Sequence, residues 1–371
     1  MADEHGGRAC GALRAWGALR QWAPLSPANP ACVDTTSAPT SRQAILDLDP
    51  GRRTAWFAVF DGHGGKEVAK FCALRLHRVF AEHPGFSRGA LAVPDALKAA
   101  FLAMDDAIRS DPGRRVLQAL AEEGLQQGSG DGSLAAGSGG DDSMAAGGAA
   151  SRSGGGPRSQ LENVLLYGDG GDDDDGFLAG RPGDGDDCSA GCTSVVAVLL
   201  GGTLYVANAG DSRAVLCRKG GEGHDMSVDH KPTLEGEKAR ILAAGGFVAD
   251  GRVKGSLALS RAIGDIGFKQ TPGIGPEAQM VTALPEVRVE QLLPGDEFLV
   301  LACDGIWDVM TSQQVVDFVR ERLGLGHAPS AVCAALCDAC MAPNTGGMGL
   351  GCDNMSVVLC VFKPAALPPA T

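Results

Sequence analysis

Thr54–Gly65 reads TAWFAVFDGHGG. Its first part, Thr54 to Phe60, holds no turn former and reads as a buried strand. The strand stops at Asp61, and glycine follows at once as Gly62. A carboxylate at a strand end delivers an oxygen ligand to the sheet edge, and a neighbour without a Cβ lets backbone carbonyls approach the same ion. Three other stretches repeat the pattern: ANAGDSR (Ala207 to Arg213), LACDGIWD (Leu301 to Asp308) and CDNMSVV (Cys352 to Val358). A single Asp-Gly pair is also the commonest of turn dipeptides. Four such ends converging would make a site for a hard cation.

The class is narrowed by length and composition. With 371 residues and 44% hydrophobic content the chain can bury a sizeable core, as one large domain or two. No apolar run approaches the roughly 20 residues that span a bilayer, so a soluble protein is expected, with no membrane partner. A formal net charge of −13 repels the phosphate backbone and argues against nucleic acid. Cations and basic protein segments suit it better. The 12 cysteines include Cys217, Cys303, Cys333 and Cys360 inside apolar patterns, which reads as reduced core thiols in the cytoplasm or nucleus. Cys333, Cys337 and Cys340 fall on one helix face without a histidine at ligand spacing, so core packing is favoured there over zinc.

Folded pattern begins near Thr54. Residues 1–45 are rich in Ala, Arg, Pro and Ser without steady periodicity, an atypical N-terminal segment for which a frayed terminus is favoured over a transit peptide because Asp3 and Glu4 interrupt the basic run. Helical spacing runs from Lys66 to Phe80 and from Pro94 to Arg109. From about Gly124 to Asp187 Gly, Ser, Ala and Asp dominate, with an unbroken acidic block at Asp172–Asp175. Such a segment cannot supply a core, and reads as a solvated insert or a docking arm for basic proteins. Strands are expected at Ser194–Leu200, Thr203–Ala207, Ala214–Cys217, Glu297–Ala302 and Met355–Phe362. Helices are expected at Leu234–Ala244, stopped by Gly245 and Gly246, and at Ser312–Leu323, opened by a serine cap. Consecutive short strands with grouped helices predict one α+β domain over 46–365, interrupted at 124–187 and followed by a tail at 366–371.

Asp61, Asp304 and Asp353 each end an apolar run with no adjacent lysine or arginine, so their charge needs compensation from outside the local chain. Oxygen-only ligands select Mg²⁺ or Mn²⁺ over zinc, and two such ions can activate water and neutralise phosphate. His63 stands two residues after Asp61. It fits either a proton donor beside the metals or a structural cap for the helix after Lys66.

VFDGHGG, ANAGDSRAVL, DHKP (Asp229 to Pro232), LALSRAIGD (Leu257 to Asp265), ACDGIWDVM and CDNMSVVL, in this order, resemble the metal-dependent serine/threonine protein phosphatases of type 2C. The likeness covers about 54–120 and 190–363, and the acidic insert and GGKEVAKFC look like those of gamma-type members. The resemblance implies a β-sandwich of two antiparallel sheets with helices on both outer faces and the metals at one edge between the sheets. It implies that Asp61 and the Gly62 carbonyl bind two ions with Asp304 and Asp353, that Asp211 and Asp304 hold a weaker third, and that His63 is the general acid. The implied reaction is hydrolysis of phosphoserine or phosphothreonine in phosphoprotein substrates by a metal-activated water, in a monomer. The Pro- and Gly-rich segment from about Lys269 to Gln279 falls where the family has a mobile flap.

One stretch departs from the family. Its members carry Arg-x-x-Met-Glu-Asp 20 to 30 residues before Asp-Gly-His, the arginine gripping phosphate and the acids supporting the metals. Here Cys32–Ile45 reads CVDTTSAPTSRQAI, with Asp34 and Arg42 as the only stand-ins. Three readings follow: an active metal phosphatase, a pseudophosphatase that binds phosphoproteins without hydrolysing them, and a two-metal hydrolase of nucleotides or diesters.

Overall fold

Alternation along Thr54–Phe60 sets the layers of the molecule. In the computed structural model, which describes residues 31–34, 40–49, 51–128, 190–344 and 349–362, this run lies in a strand, Thr54–His63 (β3). Trp56, Ala58 and Phe60 pack with helical residues such as Phe71, Leu76 and Phe101. Phe57 and Val59 point the other way and meet Leu216, Leu299 and Leu301 of a second sheet. The side-chain period of two divides one apolar run between two cores.

The remaining strands are Ala31–Asp34 (β1), Ser41–Asp49 (β2), Gly191–Leu200 (β4), Thr203–Ala209 (β5), Arg213–Arg218 (β6), Glu222–Asp225 (β7), the short pair Val248–Ala249 (β8) and Arg252–Val253 (β9), Ile263–Gly264 (β10), Glu286–Gln291 (β11), Phe298–Ala302 (β12) and Ser356–Val361 (β13). One sheet has the order β1-β13-β12-β6-β7; the other runs β11-β5-β4-β3-β2, with β10 on β4. The strand pairings within both sheets are antiparallel. Helices Glu67–Glu82 (α1), Val93–Arg109 (α2) and Asp111–Gly128 (α3) cover the β3 sheet; Ser312–Gly324 (α5) and Pro329–Cys340 (α6) cover the other. A small separate core of Ile241, Ala244, Val253, Ala262, Met280 and Val281 supports the lobe that carries Glu235–Ala243 (α4). The α+β sandwich with helices on both outer faces is therefore the fold. No helix among the described residues is long and apolar enough to cross a membrane.

Several expectations change. Sheet structure begins well before Thr54: β1 pairs with β13, and β2 pairs with β3 from Ser41↔Phe60 to Asp49↔Thr54. Ala44 and Leu46 face the inter-sheet core while Ile45 and Leu48 face the helices, an alternation too short and too mixed with polar residues to stand out in sequence. The helix at Asp111–Gly128 was not expected, and it carries order past Gly124, where the insert was expected to start. The serine cap at Ser312 is instead Thr311, whose hydroxyl accepts from the Gln314 N–H in a capping box. Gly245 does close α4, with φ of 80° and its N–H donated to the Leu242 carbonyl. Cys333, Cys337 and Cys340 are buried in the core beneath α6, as packing residues. The remainder of the insert, the first 30 residues and the tail lie outside the described residues.

Candidate metal and phosphate-hydrolysis site

The motif acids meet where the two sheets come together at one edge. Asp61 shares the face of Phe57 and Val59, so the pleat turns its carboxylate into the space between the sheets. Asp304 arrives from the other sheet, two residues after β12 ends at Ala302. Ligand atoms of Asp61, Asp304 and Cys303 all lie within 4.8 Å of one another. Asp211 lies between β5 and β6, and Asp353 three residues before β13. Close backbone contact fixes this meeting: a Cβ on Gly305 would run into the Asn354 carbonyl, so the DG and DN turns interlock only with glycine there.

The electrostatics show what is missing from the protein's own atoms. Burial first, then Asp304, Asp211 and Asp353, push the Asp61 carboxyl well above its usual range. Burial, then Asp211 and Asp353, raise Asp304 to about 7. Among the described residues, Asp304 Oδ1 is buried without a hydrogen-bond partner. An orphaned carboxylate oxygen among mutually repelling acids is the donor set a hard divalent cation takes, so these residues fit the metals that the resemblance implies. Asp353 is exposed, and its Oδ1 accepts the Asn354 N–H at 2.7 Å, which orients the turn. Gly62 is buried in β3 opposite Cys192.

Asp211 differs from the other three. Its Oδ2 sits 2.5 Å from Lys231 Nζ, an ion pair the sequence did not reveal because 20 residues separate the two. Burial raises the Asp211 carboxyl and the lysine pulls it back, with a net shift upward. The DHKP loop bearing Lys231 is fastened here: the His230 N–H donates to the Gly210 carbonyl at 2.9 Å, and Arg213 binds Asp229 at 3.0 and 2.8 Å.

His63 ends β3 and caps no helix; Lys66 occupies the position before α1. Its Nε2 lies 2.7 Å from Asp265 Oδ2, whose side chain is 2% exposed. With a carboxylate as acceptor Nε2–H is the donor, which leaves Nδ1 as the other nitrogen. Asp265 closes the LALSRAIGD motif, and nothing local in sequence pairs it with a histidine 202 positions away. It holds a left-handed backbone, φ 49°, which Asp tolerates, and its N–H donates to the Ala190 carbonyl at 3.0 Å. Gly191 must be glycine, because a Cβ would stand 2.6 Å from His63 Nε2.

The two stand-ins for the N-terminal motif fall on different strands, Asp34 in β1 and Arg42 in β2. Arg42 lies opposite Val59, two strand positions from Asp61, on the face that Ala44 and Leu46 turn inward. Arg42 and Asp47 do keep the first and last positions of Arg-x-x-Met-Glu-Asp. The register nevertheless carries Asp47, which is exposed, toward the Asp49–Thr54 end of the hairpin and away from the site. Asp34 lies in β1 opposite Ser356. The expected flap is tied down: Gln279 binds the backbone of Thr271 and Ile274, and Lys269 forms a buried pair with Asp105 at 2.6 Å.

A family model described as "Protein phosphatase 2C" matches residues 35–129 and 160–348. The chain belongs to that family. It is 44% identical over 328 residues to "Probable protein phosphatase 2C 58" of Oryza sativa subsp. japonica, covering 87% of this chain and 79% of that protein. It is likewise 44% identical over 322 residues to "Probable protein phosphatase 2C 60" of Arabidopsis thaliana, covering 86% and 81%. In fold it resembles the crystal structure of serine-threonine phosphatase 2C from Toxoplasma gondii, with a TM-score of 0.60 at 20% identity over 92% of this chain and 98% of that one. This phosphatase 2C is a protein serine/threonine phosphatase, and its substrates are phosphoproteins.

Proposed function

We propose that this phosphatase hydrolyses phosphoserine and phosphothreonine in proteins with Mg²⁺ or Mn²⁺. The observation that carries the reading is the Asp61–Asp304 cluster, with its raised carboxyls and the orphaned Asp304 Oδ1. Asp61, the Gly62 carbonyl, Asp304 and Asp353 would hold two ions, and Asp211 with Asp304 a weaker third. When bound, the ions neutralise phosphate oxygens and make water a better nucleophile at neutral pH. His63, oriented by Asp265 at 2.7 Å, donates a proton to the departing serine or threonine oxygen, which as an alkoxide is a poor leaving group. Asp265 holds one tautomer and one ring orientation, so the proton leaves from a defined side.

Purified protein should hydrolyse a phosphoserine peptide in Mn²⁺ or Mg²⁺ and stop in chelator. Undiminished turnover in chelator would overturn the metal reading. Preference for a phosphodiester would point instead to a nucleotide hydrolase.

A second reading is favoured by β2, which has no acid from Ser41 to Leu46 and whose Asp47 and Asp49 lie toward the far end of the hairpin. It is a pseudophosphatase that binds phosphoproteins as a regulator; phosphopeptide binding without turnover in either metal would establish it. The free cysteines among the described residues support reduced surroundings in cytoplasm or nucleus. The acidic run Asp172–Asp175 supports recruitment of basic proteins and, with GGKEVAKFC, the gamma-type likeness; the expectation of a monomer rests on the family resemblance.

A further inference from the structure

We propose that Lys231 is a tethered counter-ion that occupies the third cation's place on Asp211 and so sets how tightly that cation binds. The inference rests on the metal reading of the site given above. Four facts carry it. The ammonium lies 2.5 Å from Asp211 Oδ2, within direct ion-pair contact. The Asp211 side chain is 5% exposed while that of Lys231 is 40% exposed, so the acid is fixed and the cation faces a way out. The Lys231 ammonium also feels Asp304 and Asp308, so it stands within the same field of acids. By contrast, the strongest charges acting on Asp61 are all carboxylates.

The backbone makes the proximity permanent while the side chain stays free to move. His230 and Asp229 pin the loop to Gly210 and Arg213, so Lys231 cannot drift from Asp211 by more than its own stem allows. That stem has four flexible carbons ending in a compact, strongly hydrated charge. A divalent ion that takes Asp211 must displace the ammonium, which swings toward solvent on the side of the exposed Asp308. One single positive charge leaves, one double charge enters, and no proton changes hands. Among the described residues no cation is among the strongest charges on Asp61, which separates the third position from the other two in affinity.

Equilibrium dialysis of the full chain against Mn²⁺, with bound metal counted, tests this. Lys231→Met should tighten the weakest site by about 10- to 100-fold, the scale of one partly screened charge at contact, and leave the tighter sites within about 3-fold. Lys231→Arg should stay near the parent protein, and adding Asp211→Asn to Lys231→Met should remove the gain. A readout on the unaltered protein guards against variants that fail to fold. Acetylation of Lys231 by acetic anhydride, followed by mass spectrometry, should accelerate over the Mn²⁺ range that fills the weakest site. A Lys231→Met isotherm identical to the parent's, or an acetylation rate that Mn²⁺ leaves unchanged or lowers, would overturn the role of Lys231 alone. Mn²⁺ binding that does not depend on Asp61 would overturn the metal reading itself.

Discussion

Two regions of this molecule bury acids, and they do so with opposite results. In the α4 lobe Glu237 is 6% exposed, yet burial, which would raise its carboxyl, is outweighed by Arg261, Ser260 and Arg240, and it is held at about 2. Arg261 binds it at 2.6 Å and Arg240 at 2.7 Å, while the Arg240 guanidinium also reaches backbone carbonyls of Gln279 and Ser260. At the sheet edge, Asp304 is raised to about 7, first by burial and then by the acids Asp211, Asp353 and Asp308, which Lys231 offsets only in part. A buried carboxylate whose cation is built into the chain is scaffold. One whose cation must come from solution is a site. Asp211, paired with Lys231, stands between the two cases.

The strongest way to break this comparison is to neutralise each acid in turn. Asp61→Asn should lower phosphoserine-peptide turnover by roughly 10³-fold or more in saturating Mn²⁺, because an amide is a poorer ligand and leaves the other ligands unbalanced. Steady-state kinetics at high metal check it. Glu237→Gln should leave the catalytic acids in place but strand Arg240 and Arg261, costing about 3–5 kcal/mol of stability by urea unfolding. Parity between the two variants in either assay would erase the distinction.

Smaller effects sharpen it. His63→Gln should cost on the order of 10² in turnover on phosphoserine and much less on an aryl phosphate, whose leaving group needs no proton. Asp265→Asn should follow the same substrate pattern at about 10-fold, since it acts through the ring; equal losses on both substrates would return the pair to a structural role. The acids at the site should also strain the metal-free fold. Asp304 has a folded value near 7 against an unfolded value near 3.9, so its contribution is most favourable below about pH 4 and is lost as pH rises through 7. In chelator, Asp304→Asn should therefore gain on the order of 2–4 kcal/mol at pH 8 and less than about 1 kcal/mol at pH 4. Melting curves at both pH values, repeated with Mn²⁺ to reverse the sign, check this. The least effect is expected from deleting 130–188: aryl phosphate turnover and melting temperature should hardly change, and salt-sensitive binding to basic proteins should weaken.

What could be read along the chain and what could not follow from the range of the forces involved. The strand at Thr54 and the acids that end apolar runs were legible because period-two burial and uncompensated charge are local signals. The order of six motifs carried the family. The β2 strand escaped because its alternation is interrupted by Arg42, Gln43 and Asp47, and its pairing partner, β3, supplies the apolar surface that makes it a strand. Partners at long separation escaped as well: Asp265 meets His63 across 202 residues, and Asp105 meets Lys269 across 164.

By itself, then, the sequence determined which residues carry charge without a local partner, which runs fill the cores, and where the chain is too polar to supply a core. Only the tertiary structure decided which of those charges stay uncompensated. It brought Arg261 to Glu237, beside the Arg240 that the helix already places one turn on, Lys231 to Asp211, and only further acids among the strongest charges on Asp61. The reason is that Coulomb attraction and desolvation depend on distance in space, and in an antiparallel sandwich that distance is set by strand register.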